Sequence, residues 1–159
     1  MNVNIKKAFI VDATTLDVEY GEHIQEGSAS VKKSCESCIH DDLASAFEKL
    51  NIHLSTLSYQ HDSKGKVLKE GVTCIGFELT GSGDRASVKL VGYRTLPNQK
   101  ELKLSTPKQL FEGDFWNYPQ MGELEQIIEE CKQEVLAYLF EGKHAPDNQM
   151  ELELEPSLN

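Results

Sequence analysis

No stretch of this sequence is apolar for long enough to cross a bilayer: runs such as Ala8-Phe9-Ile10-Val11 fall far short of the roughly 20 residues that a spanning helix needs. Met1 to Lys7 carries no apolar core behind its charges, so a secretory signal is not expected and the chain is expected to stay in the cytoplasm. Cysteine is scarce. The four present, Cys35, Cys38, Cys74 and Cys131, are then expected as reduced thiols, not as a disulfide framework. A Gly-x-Ser-x-Gly nucleophile elbow is missing too. The glycine-rich stretch Gly81-Ser82-Gly83 joins two strand-like segments, so it lacks the helix N-terminus that would bind phosphate. Nothing here amounts to an active site, and no cofactor is expected.

An excess of base is also absent. Net charge is −10, but it is unevenly spread. From Met1 to Phe111 there are 14 acids against 14 Lys and Arg, whereas from Glu112 onward 12 acids face only Lys132 and Lys143. The bulk value speaks against nucleic-acid binding, which needs basic groups to neutralise phosphate. A neutral body under an acidic end speaks against it less, because one face of the body can still be basic.

What is present is periodicity. Ile5 to Val11 is rich in β-branched residues and aromatics, Leu16, Val18 and Tyr20 alternate with acids, and Ala29, Val31, Lys33 and Cys35 alternate with polar neighbours. These are three strands. A helix opening at Asp41-Asp42 follows, with Leu43, Phe47, Leu50, Leu54 and Leu57 spaced along one face and the aspartates suited to its N-terminus. His61 to Gly71 is polar and predicts an exposed loop. The plan then repeats. Strands are expected over Thr73–Leu79, Val88–Tyr93 and Leu102–Leu104, turning at Gly81-Ser82-Gly83-Asp84 and at Pro97-Asn98. A long helix runs from Met121 to Glu141 on Leu124, Ile128, Cys131, Val135, Tyr138 and Leu139, with Gly142 as its stop. The expected fold is α+β: two βββα units forming an antiparallel sheet with two helices packed on one face, over residues 1–143. Residues 144–159 are expected to form a flexible acidic tail.

Candidate chemistry is thin. Cys35 and Cys38, with His40 beyond, are the start of a zinc chelate, but no second pair supplies a fourth ligand at finger-like spacing. Packing of Cys35 at a strand end, with His40 before a helix cap, explains them better. Asp41 and Asp42 are adjacent, so on a helix their carboxylates diverge, and capping accounts for both. Lys32, Arg85, Lys89 and Lys103 alternate with apolar neighbours and are expected on the solvent face of the sheet, with Tyr93 among them. Phosphate contacts beside an aromatic are how many proteins hold single-stranded DNA. Glu78 and Glu101 nearby weigh the other way, towards an ordinary solvated face.

The most specific signal lies in the tail. Gln149-Met150-Glu151-Leu152-Glu153-Leu154 sets apolar side chains at alternate positions in a segment too polar to fold by itself. It resembles the short Gln-Leu-x-Leu-x-Leu peptide by which bacterial and phage proteins dock on the replication sliding clamp. The resemblance implies polar contacts for Gln149 and an apolar pocket for Met150, Leu152 and Leu154, with Met150 departing from the usual leucine.

Longer stretches are similar to small uncharacterised proteins of bacteriophages and prophages. They are His40-Asp41-Asp42-Leu43 running on to Phe47, Leu50 and His53-Leu54; Gly76 to Gly83; Leu104-Ser105-Thr106-Pro107; and Glu134 to Lys143. That family has no assigned activity, so the resemblance implies a phage context in a host cytoplasm and nothing catalytic. Two functions follow as expectations. One is a non-catalytic accessory of phage DNA replication or recombination, touching single-stranded DNA, the clamp, or both. The other is an inhibitor that sequesters a host factor through the acidic helix and the aromatics Phe115, Trp116 and Tyr118. No membrane partner is expected, and the edges of a small sheet are compatible with a homo-oligomer.

Overall fold

The first three strands form a meander. In the computed structural model, which describes residues 3–112 and 118–146, β1 (Val3–Asp12), β2 (Thr15–Ile24) and β3 (Gly27–Cys35) pair antiparallel in chain order. A second meander is built from β4 (Val72–Thr80), β5 (Ser87–Thr95) and β6 (Glu101–Ser105). The two join through their first strands, so the sheet order is β3-β2-β1-β4-β5-β6. Beyond Pro107 the chain re-enters the sheet as a two-residue strand, β7 (Gln109–Leu110), paired with the start of β5. That strand is too short for periodicity to announce.

The helical layer follows each meander, as the α+β expectation requires. One difference is instructive. The apolar stripe from Leu43 to Leu57 is carried by two helices, α1 (Asp41–Glu48) and α2 (Asn51–Leu57), not one. Leu50 donates to the Phe47 carbonyl three residues back (3.0 Å), a tightened turn in which Lys49 and Leu50 keep right-handed helical angles. The stripe survives the break because the backbone barely leaves the helical basin. The turn also brings Asn51 to β4, where its Oδ1 accepts from the Cys74 N–H at 2.7 Å. The last helix, α3 (Met121–Phe140), ends as expected: Gly142 has φ +68° and the Lys143 N–H reaches back to the Ala137 carbonyl.

All three helices cover one face. Leu16, Val18 and Tyr20 of β2, Phe77 of β4 and Leu90 of β5 point into them and are buried, as are Leu43, Phe47, Leu50 and Leu54 of the first helical pair. From α3 come Leu124, Ile128, Cys131, Val135 and Tyr138, spaced by three or four residues. Phe47 meets Phe77 at 5.7 Å between ring centroids, and Tyr20 meets Phe140 edge-on at 5.6 Å. Cys74 and Cys131 are buried in this core; burial pushes the Cys74 thiol up to about 12, so it packs as an apolar group. No described helix is long and apolar enough to cross a membrane.

The seam between the meanders is short. Only Lys7–Glu78, Ala8–Phe77 and Phe9–Gly76 pair across β1 and β4. Bulges beside the seam, between Ile5 and Lys7 on β1 and between Cys74 and Gly76 on β4, turn the strands apart. A cleft opens at each end. One, of about 540 Å³, lies between Asn4–Lys6 and Leu79–Gly81; the other, of about 420 Å³, lies between Ile10–Asp12 and Thr73–Ile75. At the seam itself the backbones are close enough to require glycine at position 76, where a Cβ would run into the Ala8 carbonyl and the Phe9 ring. Replacing Gly76 by Ala is expected to lower stability by about 1–3 kcal/mol, the usual cost of overpacking a fixed backbone. Gly122, which has open space around it, serves as the control: its replacement by Ala should be neutral or stabilising by up to about 1 kcal/mol. Urea unfolding of both variants measures the difference.

Candidate functional site

The outer face of the sheet carries the residues expected to bind nucleic acid, and the register shows how they are met. Lys32 of β3 stands opposite Glu19 of β2, Glu19 opposite Lys7 of β1, Lys7 opposite Glu78 of β4, and Glu78 opposite Lys89 of β5. This is one row of alternating charge across five strands. Lys7 lies 3.8 Å from Glu19 and 3.7 Å from Glu78. Further along, Tyr93 pairs with Lys103 and Thr95 with Glu101. Lys32, Lys89, Tyr93 and Lys103 therefore do share the solvent face. Arg85 does not; it is exposed in the 3-10 turn Gly83–Arg85 between β4 and β5, because the hairpin loop extends further than alternation suggested. Acids interleave with the cations, so the face as a whole is close to neutral. In the next row Phe9 lies over Gly76, and Phe9, Asp17 and Ser34 line a shallow cleft of about 510 Å³ with Lys7, Glu19 and Lys32.

A second constellation forms where α1 meets the end of α3. His40 caps α1: its Nδ1 accepts from the Asp42 N–H at 3.0 Å. The aspartates were expected to cap; instead Asp42 is freed to take the Lys143 ammonium at 2.8 Å, while Lys143 also holds Glu134 at 3.0 Å. Lys143 holds the Asp42 carboxyl below the ordinary 3.8, and the two carboxylates, Asp42 first, raise Lys143 above 10.5. The contribution of Asp42 is thus complete above 3.8 and lost as pH falls through its lowered value; that of Lys143 is complete below 10.5 and lost as pH rises past its raised value. The Tyr138 hydroxyl donates to the Ser37 carbonyl (2.6 Å) and accepts from the Ser37 N–H (3.2 Å), pinning the loop after β3 onto α3. His144 packs edge-on against Tyr138 at 4.5 Å, and the Ala145 N–H donates to the Cys38 carbonyl at 3.0 Å. Contacts with the body thus continue to Ala145. His40–Leu43 and Glu134–Lys143 thus meet as one latch.

Cys35 and Cys38 are free thiols, each half-buried near the Tyr138 hydroxyl. With His40 engaged as a cap, no group of three or more His, Cys, Asp or Glu side chains gathers to hold a metal ion among the described residues. The candidate tail residues Gln149, Met150, Leu152 and Leu154 lie outside the described residues, as do Phe115 and Trp116. Tyr118 is described, and it is only 4% exposed, so it is no part of an aromatic contact surface.

Sequence reasoning missed the group that buries Tyr118. His53 of α2, itself buried, shares a hydrogen bond of 2.8 Å between its Nδ1 and the Tyr118 hydroxyl, and its Nε2 lies 3.5 Å from Glu123 of α3. A histidine within a leucine stripe reads as a surface interruption; only the tertiary contact shows it to be core. The trio spends the Tyr118 hydroxyl on the imidazole. It clamps the start of α3 to α2. Burial holds the His53 imidazole below its ordinary 6.5 against the opposing pull of Glu123. A depressed histidine makes the folded state most stable above 6.5, with that contribution lost as pH falls below it. Thermal unfolding at about pH 7 and about pH 5 should therefore show a fall in midpoint on acidification, and His53→Gln should reduce that fall.

Comparison of the chain with known protein families, curated proteins and solved structures finds no match.

Proposed function

We propose that this chain is a non-catalytic accessory of phage or prophage DNA replication or recombination, and that it docks on a sliding clamp through Gln149, Met150, Leu152 and Leu154. The observation that supports it most is the pairing of a motif with a mounting: Gln149 follows, by four residues, an alanine hydrogen-bonded to the body at Cys38. A short recognition peptide gains from a fixed origin, because its search for a partner starts from a defined place on a folded carrier. The near-neutral sheet face makes protein contact the leading mode and single-stranded DNA the lesser one. Whatever hold Lys32, Lys89, Tyr93 and Lys103 have on a strand must compete with Glu19, Glu78 and Glu101, and should fade quickly with salt.

The test is equilibrium binding of the full chain to a bacterial sliding clamp, beside Gln149→Ala and Leu152→Ala. The expected result is binding that each substitution weakens by about tenfold or more, the effect of removing an anchor from a short peptide. Binding unaffected by either, or no binding at all, overturns the clamp assignment. The acidic outer side of α3 would then be the surface to test against host proteins.

A further inference from the structure

The two edges of the sheet are unequal. β6 is a five-residue edge, whereas β3 runs for nine residues in unbroken register with β2, with no proline and no bulge. Among the described residues nothing pairs with its outer side. Long regular edges of this kind are open to an added strand and are usually covered. The inner side of β3 is also incompletely covered: Ala29, Val31 and Cys35 are half-buried, while the neighbouring Leu16, Val18 and Tyr20 of β2 are fully so, and Phe140 beneath is 38% exposed. On the outer face the charge row stops at Lys32, which forms no ion pair among the described residues.

We propose that this chain's own residues 147–155 add to β3 as an antiparallel strand, covering the edge and masking the tail motif until a partner competes for it. The latch sets the direction. Ala145 is bonded to Cys38, just beyond the C-terminal end of β3, so the following residues start beside that end and run back along it. Counting residue for residue from the Ala145–Cys38 hydrogen bond, across the bend at Ser37, the proposed register sets Glu151 opposite Lys32, Leu152 opposite Val31 and Leu154 opposite Ala29. The pattern of the segment agrees with both faces at once: Glu151, Glu153 and Glu155 fall outward, where the charge row lacks its next acid, and Met150, Leu152 and Leu154 fall inward over Val31 and Phe140. A slip of one residue would invert every one of these contacts. Pro146 and Pro156 bracket the segment and leave its interior free to hydrogen-bond. Its reach suffices: thirteen residues follow Pro146, about 43 Å when extended, against about 30 Å for β3.

Hydrogen exchange of the β3 amides in the full chain, without any partner, tests this. Alternate amides between Ser28 and Ser34 should be protected in the native chain, and Leu152→Asp should speed their exchange by about tenfold or more while amides of β4 and β5 stay unchanged. Lys32→Glu should likewise speed exchange, and adding Glu151→Lys to it should restore protection. Gln149→Ala, the substitution that reports on the clamp, should leave β3 exchange as it was, so the strand and the clamp assignment can fail separately. Exchange in β3 that is the same with and without Leu152→Asp overturns the inference. Protection that rises with protein concentration also overturns it, by giving the edge to a second copy of the chain.

Discussion

Three residue pairs hold the two halves of the sheet together, and the rest of the structure depends on them. Across the Lys7–Glu78, Ala8–Phe77 and Phe9–Gly76 seam, the inner side is Ala8 and Phe77, fully buried and roofed by Phe47, while the outer side is an ion pair and a ring laid over a glycine. Burying a phenylalanine is worth about 1.5–3 kcal/mol, whereas an exposed ion pair is worth about 0.2–1 kcal/mol. The seam is therefore held from the core, and the charges on its outer side align more than they bind. Because it is narrow, bulges on either side open a cleft at each end, and Asn51 must come from α2 to satisfy a β4 amide that β1 leaves free.

The same economy explains why the solvent face is a poor electrostatic trap. Charges that alternate along a strand give an amphipathic pattern, but their meaning depends on what stands opposite in the next strand. Here opposite signs face each other from Lys32 to Lys89, so the field largely cancels at the surface. The less evenly matched features lie at the margins: the latch, where Lys143 gathers Asp42 and Glu134, and the edge of β3, whose outer side has no strand partner among the described residues.

Much of this was legible in the residues. Alternation at Leu16-Val18-Tyr20 and the spacing along α3 suffice to place strand and helix, because each pattern is local and strongly apolar on one side. Five features were not. The break at Lys49-Leu50 leaves helical angles almost unchanged, so the stripe runs through it without a mark. Arg85 alternates with its neighbours yet sits in a turn. His40 takes the cap that Asp41 and Asp42 suggest, and His53 is core despite its polarity, because its partner lies 65 positions away. The charge row across five strands depends on the β1–β4 register, and that pairing joins residues about seventy positions apart, where no local pattern reaches.

Native-state hydrogen exchange along the whole chain is the most direct test of the seam as the common support. The account predicts that the amides of Lys7 to Phe9 and Gly76 to Glu78 exchange most slowly and together, with an opening free energy equal to that of global unfolding measured in urea. Exchange in which one meander opens while the other keeps its protection would contradict it, and would make the sheet two units that merely touch.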